Sequence, residues 1–289
     1  MAFYDHIRKK KHFGWSVNNT IFKAPQTPFM KYNKVLGIDI GGSGVKGAPV
    51  NTDDGLMLES RYRIPTPTPA TPQNVAPLIA EIAKQFKWEG PIGCGFPGVM
   101  QNGVAKTAAN LDDSWIETDI NKLFKKATGL PVSVINDADA AGLAEMKFGA
   151  GVDTKGVVLL CTIGTGIGTV LFVNGTLVPN TEFGHIELMG MDAEKYAADT
   201  ARKAEDLSWE DWAKRFDKYL VTLEKLVNPD LIILGGGASK KGERFLPLLT
   251  VKSRVVPAEL LNNAGLVGAA LAATYTHKQD KKEKKKKKG

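Results

Sequence analysis

An apolar run that ends in a carboxylate and a glycine-rich turn constrains this chain more than any other feature. Residues 35–38 are apolar, Asp39 follows them, and Gly41, Gly42 and Gly44 come directly after. Glycine adopts a positive φ without steric cost, so successive backbone N–H groups can converge on an anion. The pattern predicts a strand, a turn that binds phosphate, and a second strand.

Two commoner glycine motifs are excluded. A Walker loop requires a lysine and a Ser or Thr after its last glycine, and here Gly47 is followed by Ala48. A dinucleotide fingerprint opens a helix, whereas residues 45–50 are short, β-branched at both ends and contain Pro49. An ordinary tight hairpin remains the alternative. Asp39 favours the phosphate interpretation, because a carboxylate there can hold Mg²⁺ through a metal-bound water.

Length and composition indicate a soluble, globular protein. The 289 residues, 43% of them hydrophobic, suffice for two domains of ordinary size. No apolar run approaches the roughly 18 to 20 residues of a membrane span, and the N-terminus lacks an apolar signal core. Cys94 and Cys161 each lie inside an apolar run, so we expect both to be buried and reduced. These features predict a cytoplasmic protein.

The net charge of +7 is concentrated at the two ends of the chain. Residues 1–33 carry a net +5 and residues 278–289 a net +6, which leaves −4 for residues 34–277. We interpret both ends as solvated extensions outside the fold, with attraction of a polyanion as the alternative.

Apolar periodicity predicts alternating strands and helices. A strand, glycine turn and strand recur at 156–173, about 120 residues after the first, which indicates two related halves. A third glycine turn follows a last buried strand at 231–234. The polar segment 107–115 is predicted to be a cleft loop. Further strands are predicted at 56–64, 92–96 and 132–135, and helices at 75–86, 121–128, 138–148, 209–226 and 263–275.

The three glycine turns resemble the two phosphate segments and the adenosine segment of the sugar kinase, actin and heat-shock chaperone ATPase fold. Five short motifs are similar to the ROK family of sugar kinases and repressors: Asp39-Ile-Gly-Gly-Ser43, Asn110-Leu111, Ile135-Asn-Asp137, Ile163-Gly-Thr-Gly-Ile-Gly168 and Glu182-Phe-Gly-His185. Three segments resemble its polyphosphate glucokinase branch: Gly42-Ser-Gly-Val-Lys-Gly47, Ala109-Asn-Leu-Asp-Asp-Ser-Trp115 and Asp206-Leu-Ser-Trp-Glu-Asp-Trp212. The resemblance covers residues 34–275.

This resemblance implies a two-domain α/β fold of the actin-like (ribonuclease H-like) sugar kinase type, with a cleft between the domains. The expected small domain is 34–135 and the large domain 136–277, with the helix near 263–275 packing back on the small domain. Residues 1–33 are expected to be a basic extension and 278–289 a lysine-rich tail. A homodimer is implied as well.

The implied reaction is phosphoryl transfer from inorganic polyphosphate or ATP to the 6-hydroxyl of glucose. Such transfer needs an in-line acceptor, charge neutralisation on the donor and a base. The resemblance assigns the base to Asp137, which directly follows a buried strand and Asn136. The spacing alone equally allows Asp137 to be a helix N-cap, a role that Asp139 also fits.

Sugar hydroxyls are bound by carboxylates or by groups that both donate and accept, because an unpaired polar group in a closed cleft costs about 1 to 3 kcal/mol. The expected sugar-binding residues are Asn110, Asn136, Asp137, Glu182, His185 and Glu194, with Glu187 as the alternative to Glu194. The expected phosphate-binding residues are Asp39, Gly41, Gly42, Ser43, Gly44, Lys46, Gly164, Thr165 and Gly166. Gly235, Gly236 and Gly237 are expected to contact a nucleotide.

The chain departs from the family pattern at two places. Many members carry a lysine directly after the Gly-Gly-Thr/Ser of the first turn, where this chain has Gly44 and carries Lys46 instead. Most members also hold zinc with a cysteine cluster, and no cysteine follows Cys161. We therefore expect Mg²⁺ as the cofactor and no zinc. A metal held by His185 and Glu187 is the alternative, with no third ligand identified.

Other functional classes fit less well. A repressor would need a helix-turn-helix domain ahead of the first turn, and 33 proline-punctuated residues are too few for one. Binding of nucleic acid through the lysine-rich ends alone would be nonspecific. An actin-like structural protein gives no reason for the Glu182 and His185 pair. The main alternative is an ATP-dependent ROK-type kinase for glucose or another hexose.

Overall fold

The computed structural model describes residues 33–109 and 111–274. The sugar-binding candidate Asn110, the predicted N-terminal extension up to residue 32 and the lysine-rich tail lie outside the described residues. The described chain contains two five-stranded sheets.

The first sheet has the strand order β3-β2-β1-β4-β7. Strands β1, β2 and β3 are antiparallel neighbours, and β4 and β7 run parallel to β1. A small hairpin, β5-β6, extends from the carboxyl end of β4. The bounds are β1 Lys34–Gly41, β2 Gly44–Asn51, β3 Tyr62–Ile64, β4 Ile92–Phe96, β5 Met100–Gln101, β6 Val104–Ala105 and β7 Val132–Asn136.

The second sheet repeats this arrangement, with the order β10-β9-β8-β13-β14. Its central strand again has an antiparallel hairpin on one side and parallel strands on the other. The shared order confirms the prediction of two related halves. The bounds are β8 Val157–Ile163, β9 Ile167–Val173, β10 Thr176–Val178, β11 Glu187–Leu188, β12 Met191–Asp192, β13 Leu231–Gly235 and β14 Arg254–Pro257, with β11 and β12 forming a separate hairpin.

The longer helices begin at side-chain caps. Thr71, Asp119 and Ser208 each accept a hydrogen bond from a backbone N–H in the first turn of α1, α2 and α6. Gly129 and Asn228 end α2 and α6 in the left-handed conformation. The bounds are α1 Pro72–Gln85, α2 Ile120–Thr128, α3 Asp137–Phe148, α4 Ala193–Ala197, α5 Asp199–Ala204, α6 Trp209–Val227, α7 Gly236–Ser239 and α8 264–274.

Helix α8 packs directly on the first sheet. A Cβ atom on Gly37 of β1 would collide with the carbonyl of Leu266, and one on Gly93 of β4 would collide with that of Ala269. Apolar side chains of α8, including Val267, are buried in the same core cluster as β1 and β2. Glycine on the two central strands therefore lets the helix approach the sheet backbone. The division into small and large domains remains a prediction.

Several predicted elements were wrong at their edges. The strand expected at 56–64 is formed only by β3, and Met57 makes an isolated bridge to Val50. The strand at 231–234 is not the last one, because β14 follows it across a loop. Helix α5 was missed, since its six residues are too few for a periodic signal.

Both cysteines are buried and unpaired, as predicted. Burial raises the pKa of the Cys161 thiol to about 12 and raises that of Cys94 well above its usual range. Neither thiol is therefore activated as a nucleophile. Among the described helices, none combines the length and apolarity needed to cross a membrane.

Candidate functional site

A cavity of about 670 Å³ collects most of the predicted site residues. It lies where the first and second glycine turns, the start of α3 and the segment before β11 meet. Residues 107–109 line it too, which confirms the predicted cleft loop, although Trp115 at the end of that segment is fully buried in the first core. Predicted site residues that line the cavity are Gly41, Gly42, Asn136, Asp137, Gly164, Thr165, Gly166, Glu182, His185, Glu194 and Gly236.

The first glycine turn is a two-residue hairpin between β1 and β2, closed by the pairing of Gly41 with Gly44. Neither of these glycines has a positive φ, so the conformational reason given for them was wrong. Two side chains from outside the turn fix it instead. Thr66 donates to the carbonyl of Gly41 at 2.5 Å, and Arg63 donates to the carbonyl of Ser43 at 2.6 Å.

Asp39 and Lys46 form an ion pair beside this turn. Lys46 Nζ donates to Asp39 Oδ2 at 3.3 Å, and the side chains keep 28% and 23% of their exposure. Both residues line a smaller cavity of about 180 Å³, together with Gly235 and Gly236 of the third turn. Lys46 therefore balances the charge of Asp39 in the smaller cavity.

Asp137 is the first residue of α3, and its carboxylate lines the main cavity. Its Oδ1 accepts a hydrogen bond from the N–H of Ala138 at 2.7 Å. Removal from water and, secondly, the negative charge of Asp39 raise the pKa of Asp137 to about 7, against the opposing effect of that hydrogen bond. A carboxyl group with such a pKa is suited to exchange a proton near neutral pH.

Asn136 is the N-cap of α3, so the alternative assignment of that role to Asp137 or Asp139 was wrong. Its Oδ1 accepts from the N–H of Asp139 at 2.9 Å, and its Nδ2 donates to the carbonyl of Gly98 at 3.1 Å. The buried amide thus joins the start of α3 to the loop after β4. Because Asn136 supplies the cap, the Asp137 carboxylate is directed to the cavity.

Asp139 and Asn180 form a buried link that sequence reasoning missed. Asp139 is 1% exposed, and its Oδ2 accepts from the N–H of Asn180 at 2.9 Å. The Asn180 amide in turn bonds both the N–H and the carbonyl of Met100, at 2.8 and 3.0 Å. Burial raises the pKa of Asp139 to about 7. This chain of bonds holds the β5-β6 hairpin against α3 beside the cavity.

The second glycine turn contacts a carboxylate. Glu194 Oε2 accepts from the N–H of Ile167 at 3.2 Å, and a Cβ atom on Gly166 would collide with that carboxylate. Within the turn, the N–H of Gly164 donates to the carbonyl of Gly166 at 3.0 Å. The N–H of Gly164 is therefore used within the turn, and a phosphate bound there would accept hydrogen bonds from other N–H groups of the turn.

Glu182 and His185 both line the cavity and lie 3.9 Å apart between Oε2 and Nε2. His185 Nδ1 contacts Asp192 Oδ2 at 3.0 Å, and this hydrogen bond raises the pKa of the imidazole. Partial burial raises the pKa of the half-buried Glu182. Sequence reasoning missed Asp192, which lies in the β11-β12 hairpin and gave no motif signal.

One cluster of candidate metal ligands occurs in the described part of the chain. His185, Asp192 and Glu194 each place a ligand atom within 4.8 Å of the others. The cluster contains His185, as the alternative metal site predicted from the sequence did, but its other two candidate ligands are Asp192 and Glu194. Glu187 does not belong to it. Whether this cluster binds zinc is tested by the metal-removal experiment described in the Discussion.

The third glycine turn lies against the second. Gly236 has a φ of 80° and makes an isolated bridge with Ile163 at the end of β8. Gly235 is the N-cap of the short helix α7, and Gly237 lies inside that helix. Gly236 lines both cavities, which places the third turn between them.

Comparisons with known proteins agree with this arrangement. The model of the ROK family matches residues 35–201. The polyphosphate glucokinase of Mycobacterium tuberculosis is 48% identical over 245 residues, which are 84% of this chain and 92% of that protein.

Two solved structures share the fold. The inorganic polyphosphate/ATP-glucomannokinase from Arthrobacter sp. strain KM is 46% identical with a TM-score of 0.81, over 84% of this chain and 99% of that one. The ROK family glucokinase from Streptomyces griseus, solved with glucose and AMPPNP, is 25% identical with a TM-score of 0.70, over 83% and 99%. The predicted actin-like sugar kinase fold is therefore confirmed.

Proposed function

Since the chain belongs to the ROK family, we propose that it transfers a phosphoryl group from inorganic polyphosphate to the 6-hydroxyl of glucose. The observation that carries this proposal is the position of Asp137. Its carboxylate lines the same cavity as the first and second glycine turns, so a base, an acceptor and a donor phosphate fit into one space. The relatives named above act on the same classes of donor and acceptor.

Asp137 is the general base in this proposal. A sugar hydroxyl bound within hydrogen-bond reach of the free Asp137 oxygen would lose its proton as it attacks the donor phosphorus. The raised pKa of Asp137, about 7, matches this role, because the carboxylate accepts a proton readily near neutral pH. Asn136 positions the base by capping α3 and holding Gly98.

The sugar is held by side chains that line the same cavity. Glu182, His185 and Glu194 supply acceptors and a donor to the remaining hydroxyls, with Asn136 as a further contact. Asp192 orients the His185 ring through Nδ1 and leaves Nε2 on the side of Glu182. Asn110, which belongs to the segment 107–115, is proposed to bind glucose as well.

The donor is held by the glycine turns. In this proposal, backbone N–H groups of 41–44 and of Thr165 and Gly166 bind its terminal phosphates, Gly164 shapes the second turn, Thr165 adds a hydroxyl, and Lys46 adds a positive charge. If ATP serves as a second donor, Gly235 to Gly237 would contact the nucleotide.

Mg²⁺ fits the residues beside the first turn. Asp39 supplies the carboxylate oxygens that this ion prefers, and Lys46 contacts only its Oδ2. When bound, Mg²⁺ would neutralise charge on the donor phosphates. Asp39 is proposed to hold the ion through water.

One measurement tests the proposed reaction. Purified protein is incubated with glucose, Mg²⁺ and polyphosphate as the sole donor, and the product is identified by ³¹P NMR. Formation of glucose 6-phosphate is expected, and a different phosphate ester or none would refute the proposal. An ATP-dependent hexokinase is the alternative. The polyphosphate/ATP-glucomannokinase and the glucokinase solved with AMPPNP favour it as a second activity. The homodimer and the cytoplasmic location remain predictions, and sedimentation would test the first.

A further inference from the structure

Arg63 lies beside the first glycine turn without a carboxylate partner among the described residues. It belongs to the edge strand β3, is exposed, and makes one hydrogen bond, from Nη2 to the carbonyl of Ser43 at 2.6 Å. A guanidinium group has five N–H donors, so four remain available. The cation is held in place by the turn, while most of its donors are free.

The glycine at position 44 makes room for this guanidinium. A Cβ atom on Gly44 would lie 2.6 Å from Nε and 2.7 Å from Cζ of Arg63. The cation therefore packs on the backbone of the turn, at the position where the sequence lacks a side chain. A positive charge next to this turn is thus supplied from β3 rather than from the turn itself.

Arg63 continues a row of charges across the first sheet. Lys46 is the register partner of Asp39 on β1 and of Arg63 on β3, so all three side chains lie on one face. Helix α1 covers the opposite face, where a Cβ on Gly47 would contact Ile82. Directly opposed like charges are destabilising unless an anion lies between them, and Asp39 balances only one of the two cations.

A third cation lies at the same edge. Arg61 Nη1 donates to the carbonyl of Asn262 at 3.4 Å, and Asn262 lines the smaller cavity together with Lys46. Arg63 therefore lies against the first turn and beside Lys46 of β2, and Arg61 lies farther from the turn, beside the smaller cavity. A polyanion that extends from the main cavity past the first turn would meet these cations outside that cavity.

We infer that Arg63 binds a phosphate of the polyphosphate donor beyond the terminal group that is transferred, and that Lys46 and Arg61 extend this subsite. This inference rests on the proposed function. It identifies a residue that favours a long inorganic chain over a nucleotide, because only the long chain carries further phosphate charge to Arg63, whereas the nucleotide is proposed to contact the third turn.

The test compares Arg63→Gln with Arg63→Lys and with Lys84→Gln as a matched loss of one charge. Lys84 is exposed on α1, which covers the opposite face of the sheet. Steady-state kinetics are measured with long polyphosphate, with tripolyphosphate and with ATP. The KM of Arg63→Gln for long polyphosphate should rise about tenfold, the size of one lost hydrogen bond to a charged group. Arg63→Gln also removes the hydrogen bond to Ser43 that fixes the first turn, so the ATP reaction measures that loss. The KM for ATP should rise several-fold less than the KM for long polyphosphate.

Lysine keeps the positive charge but lacks the planar, two-pronged donor group of arginine. The KM of Arg63→Lys for long polyphosphate should therefore lie between those of Arg63→Gln and wild type. The inference is overturned if Arg63→Gln and Lys84→Gln have the same KM for long polyphosphate. If Arg63→Gln unfolds at a lower temperature, the ratio of its polyphosphate and ATP kcat/KM values decides, because a folding defect lowers both equally. Wild-type protein that cannot use polyphosphate refutes the proposed function itself, which separates the two failures.

Discussion

The carboxylate of Glu194 accepts a hydrogen bond at 3.2 Å from the backbone N–H of Ile167, 27 residues earlier in the chain. A residue proposed to bind the sugar is thereby attached to a turn proposed to bind the donor. The contact requires glycine at position 166, because any Cβ there would displace the carboxylate. The sugar and donor sites are therefore built as one unit.

Replacing Gly166 with alanine tests this coupling. The methyl group should push Glu194 away from the turn, which raises the KM for glucose and lowers kcat. A displacement of about 1 Å in such a site costs on the order of 10²-fold in kcat/KM. In a double-mutant cycle with Glu194→Ala, the second change should add little once the first is present. Fully additive losses would mean that Gly166 and Glu194 act independently.

The Asp137→Asn variant tests the general base. The amide retains hydrogen bonding but cannot accept the proton, so kcat should fall by about 10² to 10⁴. Glucose affinity measured by calorimetry should change only a few-fold, since the cavity keeps its shape. A variant that retains more than about a tenth of kcat would exclude Asp137 as the base.

The pH dependence of the reaction follows from the same residue. Asp137 must be ionised, so kcat/KM for glucose should rise with pH and level off above an apparent pKa near 7. A rate that is flat between pH 5 and 8 would contradict this expectation.

The contribution of Asp137 to the free energy of unfolding should fall as pH rises, whereas kcat/KM should rise. The pKa of Asp137 is raised from 3.8 to about 7 on folding, so its contribution to stability is full below pH 3.8 and is lost as pH rises to 7. Asparagine does not ionise, so the Asp137→Asn variant does not lose this stability as pH rises. The variant should therefore gain thermal stability relative to wild type between pH 5 and pH 8, as measured by calorimetric unfolding at both values. A difference independent of pH would show that the carboxylate is not perturbed.

Metal removal distinguishes Mg²⁺ from zinc. Chelation should abolish activity, and Mg²⁺ alone should restore it, because Asp39 offers the oxygen ligands that Mg²⁺ prefers. His185, Asp192 and Glu194 are close enough to hold a second ion, so the chelated protein is also assayed with zinc. Recovery that depends on zinc would contradict the expectation drawn from the absent cysteines.

Much of the fold was predictable because its signals are local. The first glycine turn follows an apolar strand, and the helices α1, α2 and α6 carry both an apolar period and a capping residue. The short strand β3 and the late strand β14 were misjudged, since three or four residues carry too little periodicity. Their place in the sheet is decided by pairing with strands that are distant in sequence.

The candidate site was predictable only where a motif marks it. Asp137, Glu182 and His185 were identified from motifs and lie around one cavity. Arg63 and Asn180 were missed, because their contacts with Ser43 and Met100 join segments 20 and 80 residues apart. Asn136 was predicted to contact the sugar, and its additional role as the cap of α3 became visible only from the hydrogen bonds of its amide.

Donor preference tests the central claim most directly. Purified protein is given glucose and Mg²⁺ with either polyphosphate or ATP, and glucose 6-phosphate formation is measured at a series of donor and salt concentrations. The account predicts a higher kcat/KM with polyphosphate, and a steeper loss of that reaction as salt screens the cations beside the first turn. A higher kcat/KM with ATP at every polyphosphate length would contradict it and favour an ATP-dependent hexokinase.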